Sequence, residues 1–552
     1  MPNGVIGNTT DSGSVKSRFE PWLGNMTNTK KILNIFLVLS IVFLFTNCNK
    51  TEKIFSQKKV PGFVYLDEGV FKINDTTFFP LMINYKVSFR IVGDEAVLSP
   101  AKHYENHKIY ESNTKEEINA QLNAHVGLMK ELGFNTIRLC LDGINKDDIG
   151  LYYPSKGGRF YLKDDTEKLL SGISDALNII KSYDMKVMVL LKPPFEKETE
   201  NFTIELLKHF ANNNTIFAYD FMNEPLYFDT EKNRKKEDAV KIVTEWREMA
   251  NTYAPYQLFT IGFSEPIEVF EWDPSMLPVD FIQIHTYNPL RIQSEIWWYN
   301  KYCGKPWMIG ETSLPADNDS VGYDLQYHFV DDVFQYVIDC GGIGFGWWEF
   351  QDHIAPLMNF EANYTGLINT EGTTRTPSGY EIIGTLKPAA YEFAKLTAFD
   401  TKSSTTEIND LRPINYFNML GYENYLIKGK IEDRGIAVEG ALIRGWNNSW
   451  RIGINTYSDE NGEFTLYSND SCVHFEISAP GYEKIKFDKY DLIYKSVNAH
   501  TFSDLKDIDL EYQDISFTPF IKSDSTIFDF KEDMFNKAKF ETDMGNIELR
   551  KF

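Results

Sequence analysis

Two glutamates stand where a pair of carboxylates could do chemistry. Glu224 follows an apolar run in Asp220-Phe221-Met222-Asn223-Glu224-Pro225, and Glu311 follows another in Met308-Ile309-Gly310-Glu311. Two carboxyl groups about 5–5.5 Å apart can cleave a glycosidic bond held between them. One attacks the anomeric carbon. The other protonates the leaving oxygen and then activates water. Asn223, beside Glu224, is suited to hold a sugar 2-OH, a bond that strengthens in the transition state. Arg138 lies inside the apolar run 136–141. A buried cation needs an anionic partner, and Glu311 is expected to be it. The guanidinium would hold the Glu311 carboxyl low and nucleophilic, and Tyr287 would orient it. Glu224 would keep its proton near neutral pH, because the charge on Glu311 raises it.

The elements that must position these groups follow from periodicity. From about residue 62 to 398, apolar runs alternate with amphipathic stretches. The runs cover residues 79–83, 136–141, 187–191, 217–222, 258–261, 281–285, 306–310 and 343–348. Continuous runs this short suit parallel strands buried on both faces. Between them, Ile118, Leu122, Val126 and Met129 recur at helical spacing. Thr114 and Glu117 are placed for a capping box, and Gly133 for the stop. Leu169, Ile173, Leu177 and Ile180 mark the next helix, and a last helix is expected near 380–396. Eight strands with intervening crossovers predict an α/β fold, a (β/α)8 TIM barrel. An open doubly wound sheet is the alternative, but no GxGxxG turn follows an early strand.

In such a barrel, reactive groups sit at the C-terminal ends of strands. Those ends carry Arg138, Lys192, Asn223 with Glu224, His285 with Tyr287, Glu311, and the pair Trp347-Trp348. Strands 4 and 7 lie on opposing arcs, so Glu224 and Glu311 could face each other across the mouth. The long connection from 86 to 114 is expected to form one wall of the cleft.

Asn223-Glu224-Pro225 after strand 4 and Gly310-Glu311 after strand 7 resemble the motifs of clan A glycoside hydrolases. With Arg138, His285, Tyr287 and the strand 8 tryptophan in strand order, they resemble glycoside hydrolase family 5, the cellulase and β-mannanase family. The resemblance covers roughly 62–398. It implies Glu224 as acid/base, Glu311 as nucleophile and retention of configuration. It implies substrate contacts from Arg138, Asn223, His285, Tyr287, Trp347 and Trp348, with no metal and no organic cofactor. It departs at the end of strand 3, where many members carry a histidine and this chain reads Leu191-Lys192-Pro193.

Aromatic residues make up 15% of the chain. They read either as large core side chains or as platforms on which sugar rings stack. Trp272, Trp297, Trp298, Trp347 and Trp348 fall near strand ends or the following segments, whereas Trp307 lies within strand 7 and reads as core. Trp347 and Trp348 alternate along a strand, so only one can face the mouth. Trp348 is the preferred platform.

The remainder of the 552 residues sets context. Lys+Arg 56 against Asp+Glu 79 gives a net charge of −23, which argues against a nucleic-acid partner held by a basic face. Residues 1–48 read as a leader and a lipoprotein signal. Met26 is the expected start, Lys30 and Lys31 precede an apolar run, and Leu44-Phe45-Thr46-Asn47-Cys48 resembles a lipobox with Cys48 acylated. That places the chain at a bacterial cell envelope, lipid-anchored to a membrane or secreted, and it is expected to be a monomer. Residues 49–61 read as a linker, 62–398 as the barrel, and 399–424 as a second linker. Residues 425–490 carry short strands and turns, with Asn461-Gly462 as a hairpin signal. They resemble the carboxypeptidase regulatory-like domain, a small β-sandwich that reads as a spacer, a buttress or a glycan-binding module. Trp446 and Trp450 are its candidate contacts. Residues 491–552 have no assignment. Cys140, Cys303, Cys340 and Cys472 show no zinc spacing and read as buried thiols. Two functions of different class fit: a retaining glycosidase on a β-linked polysaccharide or oligosaccharide, and a non-catalytic glycan-binding lipoprotein on a barrel.

Overall fold

The computed structural model describes residues 59–101, 104, 114–141, 162–289, 291–354, 363–396, 425–449, 453–468, 471–488 and 540–552. The leader with Met26 and Cys48, the linker 399–424 and Trp450 lie outside them. No helix among the described residues is long and apolar enough to cross a membrane.

Eight parallel strands form a closed ring: β1 (Leu81–Val92), β2 (Thr136–Cys140), β3 (Lys186–Leu190), β4 (Ile216–Asn223), β5 (Leu258–Phe263), β6 (Ile282–His285), β7 (Trp307–Glu311) and β8 (Phe345–Trp347). Phe345 pairs with Leu81 and Trp347 with Ile83, which shuts the barrel. Each apolar run read from the sequence contains or overlaps one strand. The runs are continuous because both faces are covered, by barrel interior on one side and helices on the other.

The helices are α1 (Lys115–Glu131), α2 (Leu162–Ser182), α3 (Lys197–Phe210), α4 (Lys236–Tyr253), α5 (Ile292–Tyr302), α6 (Tyr323–Asp339) and α7 (Pro388–Leu396). α1 starts on the expected capping box. Thr114 Oγ1 accepts from Glu117 N at 3.2 Å, and Glu117 Oε2 accepts from Thr114 N at 3.3 Å. A cap of this kind is worth about 1 kcal/mol. Between β5 and β6 only a short 3-10 segment, Pro266–Phe270, takes a helix's place.

Below the barrel, three short strands (Val64–Asp67, Val70–Ile73 and Thr76–Thr77) close the floor. Phe71 packs edge-on against Phe217 and Phe281, with ring centres 5.9 and 5.0 Å apart. Met82, Met188, Ala218, Leu258 and Met308 fill the layer above.

Three features go beyond the expectations. β1 runs on past the barrel to Val92 and returns antiparallel as Glu95–Pro100. This hairpin lies over α1 and α2, and most of the expected cleft wall after residue 101 lies outside the described residues. Gly172 of α2 permits that packing, since a Cβ there would meet Ala96 O at 2.5 Å. The last helix begins at Pro388, because Glu381–Ile383 pairs with Thr373–Arg375. The sandwich also reaches beyond 490. It comprises β9 (Tyr425–Asp433), β10 (Ile436–Ala437), β11 (Leu442–Asn447), β12 (Gly453–Tyr457), β13 (Glu463–Ser468), β14 (Cys472–Ser478), β15 (Ile485–Asp488) and β16 (Phe540–Glu548). β16 pairs parallel with β9, and Ile547 and Leu549 enter the sandwich core with Ile431, Leu466 and Phe475. The Asn461-Gly462 turn forms, but the strands beside it, β12 and β13, belong to different sheets.

Candidate active site

A polar layer sits above the methionines, at the C-terminal end of the barrel. Its centre is Arg138 of β2, fully buried. Nε and Nη2 both donate to Asp220 Oδ2, at 2.9 and 2.7 Å. Nη1 donates to Asn84 Oδ1 at 2.9 Å and to Glu311 Oε1. Nη2 also donates to Asn223 Oδ1 at 2.8 Å. Glu311 is thus one of two carboxylate partners. Asp220, which the sequence reading left without a role, takes the larger share. Asn84 completes the brace, donating from Nδ2 to Gly310 O at 2.9 Å and Trp347 O at 3.0 Å. Gln283 Nε2 donates to Asp220 at 2.7 Å.

Glu311 ends β7 and is 4% exposed. Arg138 holds Oε1, and the Tyr287 hydroxyl donates to Oε2. Burial pushes this carboxyl up, and Arg138 and Tyr287 pull it back. The net direction is upward. That corrects the expectation of a depressed value, because desolvation of a carboxylate outweighs a cation it shares with Asp220.

Glu224 follows β4 in a left-handed conformation, φ +40°. Pro225 then starts the short helix Pro225–Phe228. The backbone N–H of Glu224 donates to Gly262 O at 2.8 Å. Glu268 secures the next turn, accepting from Leu226 N and Ser264 Oγ, both at 3.1 Å. The Glu224 carboxyl is pushed well above the usual range, first by burial and then by the charge of Glu311. Glu224 therefore holds its proton more tightly than Glu311 does, since Glu311 alone accepts hydrogen bonds from Arg138 and Tyr287.

His285 ends β6. Its Nδ1 stands 3.0 Å from Glu224 Oε1 and 3.4 Å from Glu311 Oε1. Burial and Arg138 push this imidazole well below its ordinary value. The shift favours the neutral imidazole, which lies between the two carboxyl groups. Gly262 is required here. A Cβ would meet His285 Cε1 at 2.5 Å.

Glu224, His285 and Glu311 offer ligand atoms within 4.8 Å of one another, close enough to hold a cation. The donors already present compete for the same lone pairs: Arg138 and Tyr287 on Glu311, and His285 on Glu224. Beside Glu224 a small cavity is lined by Tyr227, Glu265, Tyr287 and Arg291. Arg291 forks onto Glu265 at 2.8 and 3.1 Å.

The tryptophans divide. Trp347, expected among the substrate contacts, is fully buried. Its Nε1 donates to Thr365 O at 3.1 Å, and its ring packs on Phe329 and Phe393. It belongs to the layer between barrel and helices. Trp348 is partly exposed, with Lys86 Nζ 4.3 Å from its ring centre. Lys86 in turn pairs with Glu349 at 2.9 Å, and Tyr104 donates to the same carboxylate at 2.7 Å. Trp272, Trp298 and Trp307 are also core. Asp220, Asn84, Gln283 and Glu268 went unassigned in the sequence. The available signal was a charge or amide inside an apolar run, where burial demands a partner.

No protein-family model and no curated protein matches the sequence. Solved structures align with the chain at low identity. The exo-beta-1,4-mannosidase Op5Man5 from Opitutaceae bacterium strain TAV5 aligns at 15% identity over 67% of this chain and 65% of its own, with a TM-score of 0.45. GH5_18 from Streptomyces cattleya, in complex with GlcNAc, aligns at 14% over 64% and 84%, TM-score 0.41. The hyperthermostable endo-1,4-beta-D-mannanase from Thermotoga petrophila RKU-1 aligns at 14% over 58% and 100%, TM-score 0.37. The barrel architecture itself rests on the strand pairing.

Proposed function

We propose that the protein is a retaining glycoside hydrolase acting on a β-linked polysaccharide or oligosaccharide. The observation that carries this reading is the Glu224–Glu311 pair. Carboxylate oxygens of the two lie within 4.8 Å of each other at the ends of β4 and β7. Retaining enzymes hold their carboxyl groups about 5–5.5 Å apart, whereas inverting ones need about 6.5–9.5 Å to admit a water.

The roles follow from the partners. Glu311, oriented by Arg138 and Tyr287, attacks the anomeric carbon. The bond to the leaving oxygen breaks as Glu224 passes its proton to that oxygen. Glu224, now a carboxylate, takes a proton from water. The water oxygen bonds to the anomeric carbon, and Glu311 is released. A raised pKa suits Glu224 to the first step at neutral pH. Asn223 accepts from Arg138 through its oxygen, so its amide N–H groups are the donors left for a sugar hydroxyl. Trp348 offers the stacking face.

The segment ahead of Cys48 supports export and lipid anchoring of the same enzyme. A Cys48→Ala chain that still incorporated a palmitate probe would contradict that part.

The test is product release from β-glucans, β-mannans, xyloglucan and xylans, using the chain from residue 49 with Glu311→Ala beside it. Cleavage of a polymer that the variant leaves intact supports the reading. Sugar binding without cleavage would favour the glycan-binding alternative.

A further inference from the structure

The sandwich is docked on the barrel, beside the acid/base. Lys236 Nζ is buried where the two meet. It donates to Asp273 Oδ2 at 2.9 Å and to Ala479 O at 3.0 Å. Gly481 N donates to the same Asp273 oxygen at 2.8 Å. Trp298 Nε1 of α5 donates to Gly440 O at 2.9 Å, and Lys484 pairs with Glu271 at 3.2 Å. Leu442 of β11 packs in the barrel's own hydrophobic cluster. β11 and β14 lie over Pro266–Phe270, the segment that follows β5.

Alternation along β11 says what stands next to this contact. Ile443 is buried in the sandwich core. Leu442, Arg444 and Trp446 share the opposite face. Leu442 is the docked residue. Arg444 and Trp446 are partly exposed and continue along that face beyond it. The guanidinium of Arg444 lies 4.5 Å from the Trp446 ring centre, which holds both in place. Across the sheet, Arg444 stands opposite Asn455 and Glu476, and Trp446 opposite His474.

On the barrel side the neighbouring group is Tyr227, three residues after Glu224. It lines the cavity that Glu224, His285 and Tyr287 also line. Tyr227 lies in the short helix Pro225–Phe228, which packs on Pro266–Phe270, the same segment that β11 and β14 cover. The docked sandwich and the turn that carries Glu224 therefore rest on one shared segment. Glu224 protonates the leaving oxygen, so the sugars on its side are those of the leaving group.

We propose that Arg444 and Trp446 form the binding site for the leaving-group side of a β-linked oligosaccharide or polysaccharide. This rests on the glycosidase reading. Trp446 presents an aromatic face to the apolar C–H side of a sugar ring, and Arg444 supplies donors for its hydroxyls. The sandwich completes the cleft instead of merely supporting the barrel.

The experiment uses the full chain with Trp446→Ala, Arg444→Ala and Trp446→Phe. Substrates are mannopentaose and cellopentaose, set against 4-nitrophenyl β-mannoside and β-glucoside, whose leaving group is a single aryl ring. Thermal melting checks folding. Both alanine variants are expected to lose at least tenfold more kcat/KM on the cleaved pentasaccharide than on its aryl glycoside. Trp446→Phe is expected to recover most of that loss. Equal losses on both substrates, no loss on the pentasaccharide, or a phenylalanine no better than alanine would each overturn the inference and leave the glycosidase reading standing. A wild-type chain that cleaves neither these substrates nor xyloglucan and xylans would overturn both.

Discussion

Glu224 and Glu311 turn one carboxylate oxygen each toward the same atom, Nδ1 of His285, at 3.0 and 3.4 Å. Nδ1 can share a single hydrogen bond with only one of them at a time. Glu311 has hydrogen bonds from Arg138 and Tyr287 besides, whereas Glu224 is pushed up by burial and by the charges of Glu311 and Glu268, which outweigh the pull of Arg138. In the proposed mechanism, that asymmetry sorts two chemically identical groups into a proton donor and a nucleophile.

Removing each glutamate should give a different deficit. Glu224→Ala is expected to cost about 10²–10⁴-fold in kcat/KM on substrates with poor leaving groups, the usual worth of a general acid. The cost should be much smaller on activated aryl glycosides. Azide should rescue it and yield a glycosyl azide of retained configuration. Glu311→Ala should lose activity on both kinds of substrate. Parallel kinetics on the two substrates check the assignment.

The pH profile carries the second prediction. Activity needs Glu224 protonated and Glu311 ionised, so the alkaline limb belongs chiefly to the first and the acidic limb to the second. Burial raises both carboxyls. The whole bell should therefore stand above the ordinary glutamate range. Tyr287→Phe removes a hydrogen bond that lowers Glu311. The acidic limb of kcat/KM should then move to higher pH. A limb that stayed or moved down would refute the role of Tyr287.

Arg138 is expected to matter for stability as well as for rate. Replacing it by Ala leaves Asp220 and Glu311 buried without a cation, a loss of about 3–5 kcal/mol. Asp220→Asn keeps the shape and removes only one charge. Its melting temperature should fall less than that of Arg138→Ala, measured in one buffer.

Glu268 predicts a pH-dependent stability. Burial raises its carboxyl to about 8, against an ordinary value near 4.5. Between those values the folded state keeps a proton that the unfolded chain releases. Stability should therefore fall as the pH rises from 4.5 to 8, by an amount on the order of a few kcal/mol for this group. Glu268→Gln should flatten that slope in denaturant titrations at several pH values.

The eight strands were legible because burial on both faces leaves a continuous apolar run, and the capping box at Thr114 because its two residues are local. What escaped was long-range. Asp220 gains meaning only once the barrel closes and brings it to Arg138, 82 positions away. β16 pairs with β9 across more than a hundred residues, too far for a local signal to announce it. Trp347 and Trp348 look alike in sequence, and only the closed barrel shows which one is buried. Glu311 shows that proximity to an arginine does not by itself fix a direction of shift, since burial competes with it.

The most direct test of the central claim is the configuration of the first product. Proton NMR of the anomeric signal, followed from the start of hydrolysis of a β-linked substrate, separates the two outcomes before mutarotation mixes them. A β-anomer appearing first is the result this site requires. An α-anomer appearing first would mean inversion, and the Glu224–Glu311 double displacement would be wrong.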